Sequence, residues 1–515
     1  MFTEIQRTRD SKIRTAALEA WLLWIALFCI FCLTNKGYDS SEGRFHYAVA
    51  KQIVSRGELG FDHPMEGIFT IAPNGRTYAS HEIGNTLFQL PIAAVNLGIE
   101  RAVGGRWSAQ QMTYATEFLR SFLAAVYCST TVMLLYLALR TIFLVSRKEA
   151  ALGCMGFALC TFFWSNASSL FDGVLCAALL MAAVLCLFTF RRSSQLRMFI
   201  GAMLFFGLGV ITRLSMVLPL IGAWVYVLCF VRNPRRLARL AIIGALVLVP
   251  FAAWQMYYNH LRTGHYLMSP VQTAQYAENN ALDGPLLVGL SGLLFSPGKS
   301  VFVYCPVALL SLFCFAPFWR KFRPEAVFTL TVTVAWFLLH AKLRSWFGAW
   351  GWGPRHFITI SPLLALPFLA GGMEWIRGKT QRFLVLFLLG WGFLLSICSV
   401  IGNWYFRMAL ANQQGRLNDF VTSFTGNQSV DMIKGAAANL QHMAYRLPFE
   451  TIPGMSETNQ YVSNTVNIWL VGAYHNHVPL YILAPVALIL IAGSTISFGA
   501  LWRSGDGGIQ RSLRE

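Results

Sequence analysis

Apolar runs of about twenty residues return again and again along this 515-residue chain, and nothing else in it narrows the possible folds so sharply. A run of that length, wound as a helix, crosses the roughly 30 Å of hydrocarbon in a bilayer, and a helix satisfies its own backbone groups there. Hydrophobic residues make up 56% of the chain and charged ones only 12%, against about a quarter charged in ordinary soluble domains. The expected fold class is therefore an all-α polytopic membrane protein. Spans are expected at Trp21–Leu33, extended at each end, and at 116–142, 150–165, 172–190, 240–259, 304–319, 326–341, 357–375, 383–404 and 479–502. The run Met198–Val231 is too long for one crossing at about 1.5 Å per residue and barely long enough for two. Basic residues flank it on both sides, so it must turn back at Thr212–Arg213, which brings the total to about twelve transmembrane helices.

The net charge of +18 raises the question of nucleic acid, and the placement of the charges excludes it. Arg147–Lys148, Arg191–Arg192–Arg197, Arg232–Arg235–Arg236–Arg239, Arg320–Lys321–Arg323 and Arg377–Lys379–Arg382 sit in short connections between apolar runs. They alternate with longer connections richer in aromatic and acidic residues, the pattern that marks the cytoplasmic face. Residues 1–20, with Arg7, Arg9, Lys12 and Arg14, read as a cytoplasmic leader, retained because no small-residue cleavage site follows the first run. Residues 503–515 read as a cytoplasmic tail. The sequence places a catalytic module over 21–404, a first outer loop over 34–115, and a second outer segment of mixed composition over 405–478. Phe45, Val49 and Ile53 recur at helical spacing after Asp39 and predict an amphipathic interfacial helix; Leu87–Ile99 predicts another. Most of the eleven cysteines fall inside apolar runs at no metal-ligand spacing and read as small buried hydrophobes.

Chemistry-bearing residues gather in the outer connections. Asp39 and Glu42 form D-x-x-E just after the first span; the spacing suits either a catalytic carboxylate or a helix capping box with Asp39 as N-cap. Arg44 can pair with either acid. Arg213 stands among apolar neighbours at the hairpin tip, where an unpaired charge is costly and calls for an anion; the alternative to a ligand is a structural pair with Asp172 or a backbone carbonyl. Arg355 and Lys299 lie in Gly/Pro-rich turns on the same face, and arginine holds phosphate through its planar fork. For Lys299 and Lys342 the plainer alternative is contact with lipid headgroups. GLLFSPGKS is no nucleotide-binding P-loop: five residues separate Gly292 from Gly298 and no strand pattern precedes it. His81–Glu82 and His475–Asn476–His477 fall short of a complete metal shell, so no metal and no cofactor are expected.

SSEGRFHYAVAKQIVSRGEL, NGRTYASHEIGNTLFQLP, the Thr212–Arg213 pair, YYNHLRTGHYLMSP, GLLFSPGKSVFVY and WGWGPRHF follow one another in order. That series resembles the bacterial branch of the GT-C glycosyltransferases, similar to protein O-mannosyltransferases and the lipid A aminoarabinose transferase. The resemblance covers most of residues 20–400. It implies a GT-C-like bundle with its site on the periplasmic face of the bacterial inner membrane, a polyprenyl-phosphate sugar as donor, and an envelope glycan, lipid or protein as acceptor. It implies Glu42 or Asp39 as the catalytic acid, since Ser41–Glu42 stands where the family has an adjacent acidic pair. Arg213, Arg355 and Lys299 become donor-phosphate ligands; Arg44, His81, Glu82, Asp172, Tyr266 and His356 become substrate contacts. His81 is the nearest cation to the place of a family lysine that this chain lacks. The competing readings are a flippase or transporter of lipid-linked saccharides, and an oligosaccharide polymerase or ligase with a pyrophosphate-linked donor.

Overall fold

Helices follow the apolar runs closely in the computed structural model, which describes residues 2–39, 41–65, 67–270, 281–348, 351–445, 465–475 and 478–503. The first helix, Phe2–Leu33, carries the basic leader into the first span without a break. Ala109–Ser121 and Leu123–Thr141 together make the second. Ser146, whose hydroxyl accepts from Glu149 N, starts Arg147–Leu159; this N-cap contact satisfies one of the helix's orphan donors. The remaining expected spans appear as Asp172–Ser193, Pro234–Thr263, Pro306–Lys321, Arg323–Lys342, Ser361–Trp375, Lys379–Ile401 and Leu480–Arg503. The hairpin is there too: Leu196–Val210 and Val217–Leu228 are separated by a break at 211–216. Among the described residues seven helices are long and apolar enough to cross a membrane by length and composition, with four shorter apolar ones beside them. The chain is a multi-pass membrane protein.

Asp172–Ser193 is the axis of the bundle. Residues 161–184 are buried without exception, and the helix packs against Leu123–Thr141 on one side and Leu196–Val210 on another. Pro234–Thr263 and Leu480–Arg503 sit at the perimeter, with Leu246 and Ile489 among the apolar side chains they expose. Near the basic connections two buried carboxylates tie helices together. Glu19 accepts from the Tyr136 hydroxyl at 2.7 Å and Arg140 Nε at 3.0 Å. Glu325 takes Arg191 Nη1 at 2.6 Å and the Tyr226 hydroxyl at 3.2 Å.

Both interfacial helices form at the opposite end, as Gly43–Arg56 and Gly84–Val103. Between them lies a short antiparallel hairpin, Phe69–Ile71 with Thr77–Ala79, which the sequence reading did not anticipate. A further departure is Leu286–Phe295, expected as loop. Ten residues rise only about 15 Å, too little to cross, so this helix lies against Arg323–Lys342 instead. Gly289 makes that possible, since a Cβ there would stand 2.0 Å from the Ala341 carbonyl oxygen. The segment 405–478 is clamped to the bundle where it is described. Gln428–Tyr445 packs on Lys379–Ile401, and Trp469 donates from its backbone to Asn35 O and from its indole to Cys32 O, both at 2.8 Å.

Gly84 fixes the first loop to the hairpin tip. Its N–H donates to Ile211 O at 2.7 Å, and a Cβ would stand 2.6 Å from Thr212 Cα and 2.7 Å from its backbone nitrogen. Backbone atoms cannot swing aside as a flexible side chain can. Gly98, in the same helix, faces open space. Gly84→Ala is therefore expected to lower the thermal midpoint of the detergent-solubilised protein by several degrees. Gly98→Ala should leave it unchanged or raise it, in line with the roughly 0.5–1 kcal/mol that alanine gains over glycine inside a helix; equal behaviour of the two would refute this packing account.

Candidate active site

Four consecutive residues, Leu170 to Gly173, collect the functional side chains. They precede and begin the central helix, where an extended Phe171 (ψ 142°) hands over to Asp172 at the first helical position. Leu170 N donates to Asp39 Oδ1 at 3.3 Å and Leu170 O accepts from Asn85 Nδ2 at 3.1 Å. The Phe171 ring lies under the Arg355 guanidinium, 5.1 Å from its centroid. Asp172 N donates to Glu42 Oε1 at 3.3 Å. A Cβ on Gly173 would stand 3.3 Å from Arg213 Nη1. Gly43 permits the approach from the loop side, because a Cβ there would meet Leu170 Cβ at 2.4 Å.

The two candidate acids part company here. The side chain of Asp39 is fully buried: Oδ1 accepts from Ser41 N at 3.0 Å and from the Ser41 hydroxyl, while Oδ2 lies 3.7 Å from Arg120. It holds the turn into the helix and is closed to any substrate. The capping box does not form, since Glu42 is itself the N-cap residue, in helical conformation, and makes no side-chain cap bond. Glu42 keeps 16% of its side chain exposed, and its Oε2 stands 3.8 Å from His81 Nε2. Of the two, it is Glu42 that can reach a substrate hydroxyl.

Asp172 is buried beside His46, with 3.0 Å from Oδ1 to Nε2, and accepts from Asn85 Nδ2 at 2.8 Å. Burial works against a charged His46; the charge and hydrogen bond of Asp172, with Glu42 and Glu82 beyond, outweigh it and raise the pKa. Asp172 is thus already partnered, and the ion pair offered as an alternative for Arg213 does not form. Arg213 instead reaches His356, Nη2 to Nδ1 at 3.0 Å, and lies over Trp336 at 5.9 Å. Burial, then His340, Arg213, Arg355 and Lys299 push the His356 pKa far down, so a neutral ring accepts from the guanidinium. Arg355 is disfavoured in charge by burial, helped by Glu42 and Asp172 and opposed by Arg213. Its Nε has no hydrogen-bond partner among the described residues. Neither Arg213 nor Arg355 has a carboxylate within salt-bridge reach among those residues. Glu42 thus shares the Leu170–Gly173 junction with two guanidiniums that have no anion of their own.

Residues 107–255 match the family described as dolichyl-phosphate-mannose-protein mannosyltransferase. That stretch contains Arg120, Asp172 and Arg213 and stops outside Glu42 and Arg355. Over that stretch the resemblance read from the sequence is borne out. No curated protein sequence matches the chain. Solved structures similar to it include ArnT from Cupriavidus metallidurans bound to undecaprenyl phosphate, 13% identical over 86% of this chain and 83% of that one, with a TM-score of 0.46. The apo state of the same protein is 12% identical over 86% and 82%, also at 0.46.

Other expected site residues have structural occupations. Lys299 is fully buried and donates to Gly351 O at 2.7 Å and Gly353 O at 3.3 Å; it braces the turn that carries Arg355 and is closed to a phosphate. Glu82 is buried, accepts from the Ser269 hydroxyl at 3.3 Å and lies 4.0 Å from Arg262. Arg44 is exposed and rests on Phe45. Tyr266 is exposed and stacks on His260 at 4.4 Å. Arg344 pairs with Asp283. Among the described residues no three His, Cys, Asp or Glu side chains are placed to hold a metal; Asn476 and His477 lie outside those residues.

Sequence reasoning missed His46, Asn85, Arg120, Arg262 and Gln428. His46 follows the helical stripe and looks like core; only its approach to Asp172 reveals it. Arg262, inside the YYNHLRTGHYLMSP motif, donates to the carbonyls of Ala79, Ser80 and His81 at 3.2, 3.0 and 2.7 Å and so sets the loop that bears His81. Gln428 comes from the segment that offered no motif. It spans the Arg355 turn, accepting from Gly353 N at 3.1 Å and donating to Gly351 O at 3.3 Å.

Lys299 and Gln428 thus both hold the turn that carries Arg355. Lys299→Met is expected to loosen the turn that carries Arg355. Two buried carbonyls each lose their charged donor, Gly351 O keeping Gln428 Nε2 and Gly353 O keeping Arg355 N, a loss of about 1.5–3 kcal/mol for a hydrogen bond to a charged group. Burial, and then Arg355, lower the Lys299 pKa to about 7, below the unfolded value of 10.5. Between those pH values the unfolded chain binds the extra proton, so stability rises with pH across the window and the gain is absent below about 7. Thermal midpoints measured from pH 7 to 10 should climb less steeply in Lys299→Met than in wild type; parallel curves would remove Lys299 from this role.

Proposed function

We propose that the protein is an inverting glycosyltransferase of GT-C type that takes a sugar from a polyprenyl-phosphate donor at the periplasmic face of the inner membrane, with both termini cytoplasmic. It passes the sugar to a hydroxyl of an envelope glycan, lipid or protein. One observation carries the reading: a partly exposed carboxylate, Glu42, shares the Leu170–Gly173 junction with two guanidiniums, Arg213 and Arg355, that have no carboxylate partner among the described residues. Charge of that kind at a membrane segment calls for an anion, and a lipid phosphate is one that the bilayer itself delivers.

The division of labour follows from the geometry. Asp172 N–H holds Glu42 Oε1, which leaves Oε2 to accept the proton of the acceptor hydroxyl as its oxygen attacks the anomeric carbon. A positioned base of this kind contributes about 10²–10⁴-fold. The bond from the anomeric carbon to the phosphate oxygen breaks with its electron pair on the leaving group, a phosphate monoester with second pKa near 6. Arg213 and Arg355 meet the charge that develops there, and removal of one such donor typically costs about 10²–10³ in rate. The matched mannosyltransferase family supports sugar transfer from a lipid-phosphate carrier. We propose that the two guanidiniums suffice for the leaving group and that no metal or cofactor takes part.

Purified protein given polyprenyl-phosphate sugars and envelope acceptors should release the polyprenyl monophosphate. Release of a pyrophosphate lipid would instead indicate a polymerase or ligase, and movement of labelled lipid-linked sugar across liposomes without transfer would indicate a flippase. Glu42→Gln should lower kcat by about 10²–10⁴ with donor KM little changed. Arg213→Ala should weaken donor binding and slow the chemical step, and Arg213→Lys should recover only part, because an ammonium lacks the bidentate fork. Wild-type donor affinity in well-folded Arg213→Ala would sink the phosphate assignment. Exhaustive chelation is expected to leave transfer unchanged, and a loss restored by a divalent ion would overturn the metal-free scheme.

A further inference from the structure

Glu42 can act again only if the proton it takes from each acceptor leaves it. Its Oε1 is engaged with Asp172 N–H, so the proton has to depart from Oε2, and what faces Oε2 is the ring of His81, with Nε2 at 3.8 Å. That nitrogen is buried and has no hydrogen-bond partner among the described residues, whereas 21% of the side chain as a whole is exposed. The exposure therefore lies elsewhere on the side chain, and Nδ1 is not among its buried, unpartnered atoms. Arg262 holds the His81 carbonyl at 2.7 Å and so fixes where the ring starts from. The charged groups around it are Glu42 on the loop before the Gly43–Arg56 helix, His46 on that helix with ring centroids 5.7 Å apart, Asp172 beyond His46, and Glu82 next in the chain with its partner Arg262.

We propose that His81 is the proton outlet of Glu42: a positioning and relay residue that receives the proton from Oε2 on Nε2 and releases one from Nδ1 to water. The inference rests on the transferase reading above. In the full step the acceptor O–H bond breaks and the oxygen bonds to the anomeric carbon. The carbon–phosphate oxygen bond breaks, its electron pair leaving on the polyprenyl phosphate. The proton passes from Glu42 to Nε2 as Nδ1–H gives one to water; Glu42 is then back in its starting form and the ring is left as the Nε2–H tautomer, which proton exchange with solvent returns to Nδ1–H before the next turnover. Imidazole suits the task because it takes a proton on one nitrogen as it gives one from the other, near neutral pH. The 3.8 Å gap is closed by a small rotation or by one bridging water, as catalytic contacts often are once substrate binds.

The test compares transfer by the purified full chain, His81→Ala and Glu42→Gln, each with and without millimolar imidazole. His81→Ala should lose roughly tenfold in kcat with donor KM unchanged, and imidazole should restore kcat in proportion to its unprotonated fraction. Glu42→Gln should not respond to imidazole. A rise in donor KM with kcat intact would make His81 a phosphate ligand and overturn the relay, as would wild-type kcat in His81→Ala or a loss that imidazole leaves untouched. Should His81→Ala fail to fold, His81→Gln replaces it, with the KM and kcat split as the readout. Should both fail, a proton inventory on the wild type decides, a curved plot supporting two transfers in flight and a linear one overturning them. A wild type that binds donor yet transfers to no acceptor overturns the transferase reading and the relay with it, a result distinct from active wild type with an indifferent His81.

Discussion

A carboxylate at the mouth of the most deeply buried helix is the constraint on which the loop face depends. Asp172 has little water, and an ionised acid in such a place is tolerated only with close partners. It takes them from both interfacial helices, His46 on one and Asn85 on the other, and the helix N-terminus adds its own favourable field. Satisfying Asp172 therefore draws Gly43–Arg56 and Gly84–Val103 onto the bundle. The same docking brings Glu42 to the Asp172 amide and sets Asp39 and Arg120 together behind it. A structural need for charge compensation and a functional need for a placed acid are met by one juxtaposition.

What the sequence disclosed follows from how each feature is encoded. Spans are written in length and hydropathy, quantities local to a run, so each expected crossing has its helix, and Arg213 stands at the break between Leu196–Val210 and Val217–Leu228 as the basic flanks require. Leu286–Phe295 escaped because ten residues interrupted by Gly289, Ser291 and Gly292 look like loop until a neighbour covers them. The choice between Asp39 and Glu42 could not be read from D-x-x-E, since both acids suit the spacing and only the burial of Asp39 under Leu170 and Arg120 separates them. Lys299 misled for a related reason. A lysine in a glycine-rich turn has the same local signature whether its ammonium meets phosphate or the carbonyls of Gly351 and Gly353. His46 and Gln428 were silent because their roles lie in partners about 130 and 75 residues away.

A common device recurs among the buried bases. Lys299 is held by two carbonyls and Arg262 chiefly by four carbonyls and an amide oxygen. Backbone oxygens order a cation without cancelling its charge, as a carboxylate would. Two buried bases can thus shape the loops around the junction without a carboxylate in hydrogen-bonding contact, and its positive potential rests on Arg213 and Arg355, since Lys299 sheds its charge near neutral pH. The segment 405–478, read from the sequence only as an outer segment of mixed composition, joins this scheme through Gln428.

That uncancelled potential acts on what leaves as well as on what arrives. On the proposed reading the donor is a phosphodiester with one negative charge, and the lipid left behind is a monoester carrying close to two at neutral pH. Arg213 and Arg355, with no carboxylate partners among the described residues, attract the more charged species more strongly. The enzyme would then bind its spent carrier more tightly than its fresh one. Its pace in the membrane would follow how quickly that carrier is drawn away into the bilayer and recharged, so that occupancy of the site reports on the supply of free lipid phosphate.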